Sequence, residues 1–309
     1  MSVSVIISAY NGENYLAEAI ESVLAQTRSD WEIVVADDGS SDATGAIAED
    51  YARRDPRIRV VHRANGGIAA ARNSGLAHAN PSFEYVAVLD HDDFLEPDCL
   101  ETLVGALDRH PRAVGAHGLR RNVDSKRRPL RRNGSEVWPS VRWSIEGNWL
   151  VKMPESAPTT FAMLAYRNVI TINGVMVRRD ALEHAGRFDP RATMAEDWDL
   201  WLRMALLGDF VFVNRVVCGY RYHDSNITRD RERMRGHEDA VRSRIYASRE
   251  LNDAQRRLIV LGYRFHELHR CRDRLRFAKR ILPRSGVSGA ARKVGQAAVH
   301  FSKFLGGTP

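Results

Sequence analysis

Cysteine is scarce in this chain: Cys99, Cys218 and Cys271 are the three present, and they lie far apart with no paired spacing. That pattern argues against a disulfide framework and a thiolate zinc site, leaving reduced thiols as the expectation. Long apolar runs are missing too, and none approaches the roughly 20 residues needed to cross a bilayer. Met1 leads straight into the strand-like stretch Val3 to Ser8, without the basic segment, apolar segment and cleavage site of a secretory signal. A cytoplasmic protein is therefore expected. There is no internal repeat, zinc-finger signature or RNA-recognition motif, so nucleic acid is not an expected partner despite a net charge of +7.

What the chain has is an ample apolar complement, 44% of 309 residues, enough for one large domain with an extension or two modest ones. Its charge is uneven. Residues 229–309 carry about +12, which leaves about −5 for residues 1–228. In the acidic part, apolar strands alternate with helix-length segments. Val3 to Ser8, Glu32 to Ala36, Ile58 to His62 and Tyr85 to Leu89 read as strands; Leu16 to Leu24, Ala43 to Arg53 and Ile68 to His78 read as helices. Such alternation predicts right-handed crossovers and an α/β fold with a mostly parallel sheet flanked by helices. Residues 120–160, rich in proline and basic residues and bearing Trp138, Trp143 and Trp149, read as a loop-rich insertion. A strand is expected over Ile170 to Val177, interrupted by Asn173-Gly174. Another is expected over Val211 to Val217, and a helix with a buried tryptophan face opens at Glu196. From Arg229 the pattern is helical and basic, with a stripe of Leu258, Leu261, Phe265, Leu268, Leu275 and Leu282.

Polar stations stand where the apolar runs end: Asp37-Asp38, Arg72, Asp90-His91-Asp92-Asp93 and Glu196-Asp197. In a parallel sheet such strand ends converge on one crevice. Crowded carboxylates there require a cation or hydrogen-bond donors. Asp90 and Asp92, at i and i+2 of an extended segment, can address one hard divalent ion, Mg2+ or Mn2+, with His91 as a spacer. Asp37 or Asp38 can accept hydrogen bonds from a base or a ribose, although the same residues also form turns and caps. Arg72 follows Gly66-Gly67 at the opening of a helix, near the same edge. A carboxylate at 196–197, walled by Trp198 and Trp201, would have a raised proton affinity suited to a general base. His223 is a candidate for metal or phosphate contact.

Together these segments resemble glycosyltransferase family 2, the inverting nucleotide-sugar-dependent transferases of GT-A (Rossmann-like) fold. The resemblance covers about residues 3–225. It rests on Ser4-Val5-Ile6-Ile7-Ser8-Ala9-Tyr10-Asn11, Val35-Ala36-Asp37-Asp38-Gly39-Ser40-Ser41-Asp42, Gly67-Ile68-Ala69-Ala70-Ala71-Arg72-Asn73 and Leu89-Asp90-His91-Asp92-Asp93. Arg178-Arg179-Asp180 leading to Glu196-Asp197-Trp198-Asp199-Leu200-Trp201 completes it. It implies that Ala9 and Tyr10 border the base, that Asp38 meets the base edge and that Arg72 lies against the nucleotide. It implies Asp90 and Asp92 as the metal and diphosphate motif, and Asp197 as catalytic base supported by Glu196. The implied donor is a nucleotide diphosphate sugar, a UDP-sugar favoured, and the acceptor is a glycan or lipid-linked hydroxyl. The expected division is a nucleotide-sugar-binding half at 1–110 and an acceptor and base half at 111–228, as the resemblance implies, followed by the basic helical C-terminal extension at 229–309 read from charge and pattern.

The chain departs from the processive synthases of the family, lacking their Gln-x-x-Arg-Trp motif, so single-sugar transfer is favoured. A polyprenyl-phosphate glycosyltransferase and a non-catalytic nucleotide-sugar-binding module are the alternatives. One or more of Trp138, Trp143 and Trp149 is a candidate to stack on an acceptor sugar. For the basic tail, peripheral attachment at the anionic inner face of the plasma membrane is weighed against homodimerisation and against packing back on the domain.

Overall fold

The computed structural model describes residues 2–131, 135–139, 141–226, 230–272, 275 and 298–299. Alternation begins with β1 (Val3–Ala9), α1 (Leu16–Leu24), β2 (Trp31–Asp37), α2 (Thr44–Arg54), β3 (Ile58–His62), α3 (Ile68–His78) and β4 (Tyr85–Asp90). β1 and β2 are buried along their whole length, as expected of parallel strands covered on both faces. α1 turns Leu16, Ala19, Ile20 and Val23 inward at helical spacing.

The second half is less regular: β5 (Phe94–Leu95), α4 (Cys99–Arg109), β6 (Gly115–Asp124), β7 (Val137–Trp138), β8 (Trp143–Glu146), β9 (Trp149–Lys152) and α5 (Phe161–Tyr166). A 3-10 turn at Ile172–Gly174 leads to β10 (Val175–Arg178), α6 (Arg179–His184), α7 (Glu196–Met204) and β11 (Phe210–Tyr222). The main sheet runs β3-β2-β1-β4-β10-β6-β11-β5, with β7 paired to β6. The first four of these strands are parallel, β10 is antiparallel to both neighbours, and β11 is again parallel to β6.

The two faces of the sheet carry separate cores, and side-chain parity decides which residues reach which. Ile6, Val34, Val86 and Val88 face the core built by α3, α5 and α7; Val5, Ile7, Ile33, Val35 and Leu89 face that of α1 and α4. By the same alternation Ser8 and Asp90 lie on the α3 and α7 side. α3 packs very close to β1, because a Cβ at Gly75 would come within 2.5 Å of Ile6. Arg72, one turn earlier, is thereby brought to the carboxyl ends of the strands.

Three sequence expectations are corrected. The 120–160 segment is not purely loop: β8 and β9 form a hairpin whose Ile145 is buried, with Trp143, Leu150 and Met153 packed on the core. The expected strand over Ile170 to Val177 starts only at Val175, and that at Val211 continues to Tyr222. For the tail, packing back on the domain, one of the outcomes weighed, is what its described part shows. α8 (Arg231–Ala247) and α9, helical over residues 253–272, fold onto the domain, burying Val241, Ile245 and Ile259 with Leu258, Leu261 and Phe265 against the α5–α7 core. Arg229 and Leu282 lie outside the described residues. Among those described, no helix is long and apolar enough to cross a membrane.

Candidate active site

The crevice is built on the carboxyl ends of β1, β2 and β4, where Ala9 pairs with Asp37 and Ser8 with Asp90 in register. Asp90 ends β4, and its Oδ1 accepts hydrogen bonds from Ser8 Oγ at 3.2 Å and Arg72 Nη2 at 2.7 Å. Carboxylate oxygens of Asp90, Asp92 and Asp93 all lie within 4.8 Å of one another. The three are not equivalent. Both oxygens of Asp93 are taken by the fold, one by the backbone N–H of Arg221 at 2.7 Å, the other by the side-chain amide of Asn173. Burial, then the charges of Asp92 and Asp90, push the Asp93 carboxyl well above its ordinary value. Asp92 moves the other way. Burial opposes its ionisation, but the hydrogen bond from His223 and the charges of His91 and His223 leave it below the usual range. His223 Nε2 sits 2.8 Å from Asp92 Oδ2, carried there because β11 runs parallel to β6 and ends at the same edge.

This donor set fits a hard divalent cation. It consists of oxygen ligands with a surplus of negative charge, and Asp90 and Asp92 use only one carboxylate oxygen each in the side-chain bonds described.

Arg72 joins this cluster to the second station. Its guanidinium is fully buried and donates to Asp90 through Nη2 and to Glu196 through Nη1 at 2.5 Å. Burial lowers its proton affinity, but the charges of Asp90 and Glu196 overrule that and raise it. Glu196 opens α7; its Oε2 is buried and carries no hydrogen bond from the protein. Asp197 follows, accepting from Asn168 Nδ2 at 3.0 Å and from the backbone N–H of Trp198 at 2.6 Å. Asp197 is half-buried, with its carboxyl surrounded by protein. Burial first, then repulsion by Glu196, raise its pKa to about 7, against the opposing charge of Arg72.

The remaining expected residues fall at the same edge with different company. Ala9 is buried, its carbonyl accepting from the backbone N–H of Asp38 at 2.9 Å, and Tyr10 is 49% exposed beside it. Asp38 is turned into the 63–67 loop, where Gly66 N and Gly67 N donate at 3.1 and 2.8 Å and Arg63 pairs with it. The amide donors expected near Arg72 are thus engaged by Asp38. Asp37 accepts from Ser40 N at 3.0 Å and contacts His62 at 2.9 Å. Of the tryptophans, Trp138 lies 4.5 Å from the Arg120 guanidinium, Trp143 packs on the core and Trp149 is 75% exposed.

Sequence reasoning missed the neutral supports: Ser8, Asn168 and above all Asn173, whose Oδ1 accepts from Asp90 N at 2.7 Å. The one signal for Asn173 was an Asn-Gly pair placed inside an apolar run. Arg221 was missed as well; it donates to the Asp92 carbonyl at 2.8 Å and pairs with Glu18, tying α1 to the acidic turn.

A half-parallel sheet with an acidic cluster at the β4 end and a carboxylate-headed helix across from it defines the GT-A class of α/β domain. The chain belongs to glycosyl transferase family 2, whose model matches residues 4–172. It is 33% identical to the uncharacterized glycosyltransferase EpsJ of Bacillus subtilis (strain 168) over 63% of this chain and 53% of that protein. The chain therefore spans about half the length of that relative. Among solved structures, S. aureus TarS in complex with UDP-GlcNAc superposes with a TM-score of 0.64 at 18% identity, covering 99% of this chain and 82% of that one. The mannosyltransferase PcManGT from Pyrobaculum calidifontis, in complex with GDP-Man and Mn2+, gives a TM-score of 0.62 at 17% identity, covering 99% and 76%.

Proposed function

We propose that the chain is an inverting glycosyltransferase that moves one sugar from a nucleotide diphosphate sugar to a hydroxyl of a glycan or lipid-linked acceptor. The observation that carries this reading is the fork of Arg72, which sets the acidic cluster and the Glu196-Asp197 pair on the same guanidinium. UDP- and GDP-sugars in the complexes of TarS and PcManGT support a donor of that class, with a UDP-sugar favoured. Ala9, Tyr10 and Asp38 border the base in this reading. Asp90 and Asp92 would hold Mn2+ or Mg2+, with His223 as third ligand or as the partner orienting Asp92, and the ion would supply Lewis-acid stabilisation of the departing diphosphate. Arg72 keeps Asp90 and Glu196 in fixed relation. Asp197 accepts the proton of the acceptor hydroxyl as that oxygen attacks the anomeric carbon, and Asn168 orients its carboxylate.

A carboxyl of raised proton affinity suits a hydroxyl acceptor better than an anionic polyprenyl-phosphate acceptor, which needs no deprotonation. It also fixes a pH dependence. Because the active form is the deprotonated carboxylate, kcat/KM for the acceptor is expected to rise with pH through about 7 and then level off, measured between pH 5 and 9. A thermal-shift screen of UDP-, GDP- and dTDP-sugars with and without manganese tests the donor class. The expected result is a rise in Tm for one family of donors, with the manganese-dependent part lost in Asp92→Asn. No shift with any donor would remove the proposal.

Of the tryptophans, Trp149 alone leaves a ring open to solvent. Trp149→Ala is expected to raise the acceptor KM two- to tenfold, the equivalent of about 0.5–1.5 kcal/mol of aromatic contact, with Tm unchanged. An unchanged KM would dismiss a stacking role for this ring.

A further inference from the structure

α7 is only nine residues long, and Ala195 at its N-cap offers no side-chain cap. The loop before it reaches Ala195 through Met194 at φ 64°. A helix this short does not hold its own first turn in place, so neighbours must fix the orientation of Asp197. Arg72 does so from α3. The other grip comes from the C-terminal extension. Arg242 of α8 is fully buried, donates to the Tyr166 carbonyl at 3.1 Å and stands 4.6 Å from the ring of Trp198. Arg244 donates through Nε and Nη2 to Asp199 Oδ1, at 3.1 and 2.6 Å, and lies 3.9 Å from Asp189. His237 contacts Thr193 Oγ1 at 3.2 Å.

These contacts bracket the base in the chain. Asp189 and Thr193 precede it, Trp198 and Asp199 follow it, and Tyr166 lies two residues before Asn168, whose amide holds the Asp197 carboxylate. Asp199 is 1% exposed, and its second oxygen is held by Arg203 at 2.9 Å. The basic character of α8 is thus partly spent on carboxylates next to the site.

We propose that α8 is a positioning element for the catalytic base, with Arg244 as the positioning residue that fixes α7 through Asp199. The proposal deepens the glycosyltransferase reading and, in its kinetic part, rests on it. Removing Arg244 leaves Asp199 still paired with Arg203, so substitution at this partly exposed arginine is expected to leave the fold intact.

The test compares full-length wild type with Arg244→Gln and Arg244→Lys. Kinetics use the donor found by the thermal-shift screen, and amide hydrogen exchange is followed in the free proteins. Arg244→Gln is expected to lower kcat at least about tenfold, since small misplacements of a reacting group are costly. Donor Kd should stay within about twofold, because the donor-side strands are untouched. Exchange should quicken about tenfold over residues 189–201 and not over 3–9 or 85–93. Arg244→Lys, which keeps the charge, should recover most of both effects. Unchanged kcat and unchanged exchange would overturn the proposal, and so would a loss of donor affinity together with faster exchange throughout the chain. If wild type turns over no nucleotide sugar, the transfer reading fails on its own, and the exchange pattern still decides whether Arg244 fixes α7.

Discussion

Asp197→Asn is expected to cut turnover by about 10² to 10⁴ while leaving donor binding intact, the usual loss when a positioned general base is removed. The amide keeps one oxygen, which can accept from Asn168 or from the Trp198 backbone N–H but not from both, and it cannot take the acceptor proton. Stability should move in the opposite sense to activity. The folded-state pKa of Asp197 is raised, so between the ordinary carboxylate range and about 7 the native protein keeps a proton that the unfolded chain releases. Stability from this group therefore falls as pH rises across that window and is flat above it. Asparagine removes the penalty. The variant should lose the wild-type decline between pH 5 and 7. Paired melts and donor titrations check this, and turnover within tenfold of wild type would exclude Asp197 as the base.

Arg72→Met is expected to have the largest effect on stability, about 3–5 kcal/mol, because it strands two carboxylates in a poorly hydrated place. Asp90 and Glu196 are 19% and 7% exposed at their side chains, and both depend on this guanidinium. Arg72→Lys should recover little, since one ammonium cannot reproduce a planar fork reaching two acids. The deficit should narrow at low pH, where protonation neutralises the stranded groups. Urea unfolding at pH 5 and 8 measures both effects. A methionine variant as stable as wild type at pH 8 would mean that the fork does not hold the two stations together.

The strands that carry the donor side were legible because their signal is local. Val3 to Ser8, Glu32 to Ala36 and Tyr85 to Leu89 are unbroken apolar runs, and the acids at their ends stand at one sheet edge by topology alone. Glu196 and Asp197 were legible from the amphipathic helix they open. Pairing was not legible. Nothing in Val175–Arg178 announces that it inserts antiparallel between β4 and β6, because periodicity records which residues are buried and not which strand lies alongside. Asn173 reaches Asp90 across 83 positions of chain and Asn168 reaches Asp197 across 29, and neutral amides carry no charge pattern to draw attention. The choice among the alternatives for the extension was not legible either, for a related reason. A leucine stripe flanked by arginines suits a membrane surface, but the stripe through Phe265 meets the domain's core and Arg242 and Arg244 meet Trp198 and Asp199.

A buried fork spanning the crevice also restricts how such domains recombine. Arg72 arrives with residues 1–110, whereas Glu196 arrives with 111–228. A chimera that keeps the first half and grafts a relative's second half must bring an acid to the place of Glu196, or it buries half a cation unmatched. Second halves are therefore interchangeable only between parents that share this ion pair, a filter that can be applied before any chimera is made.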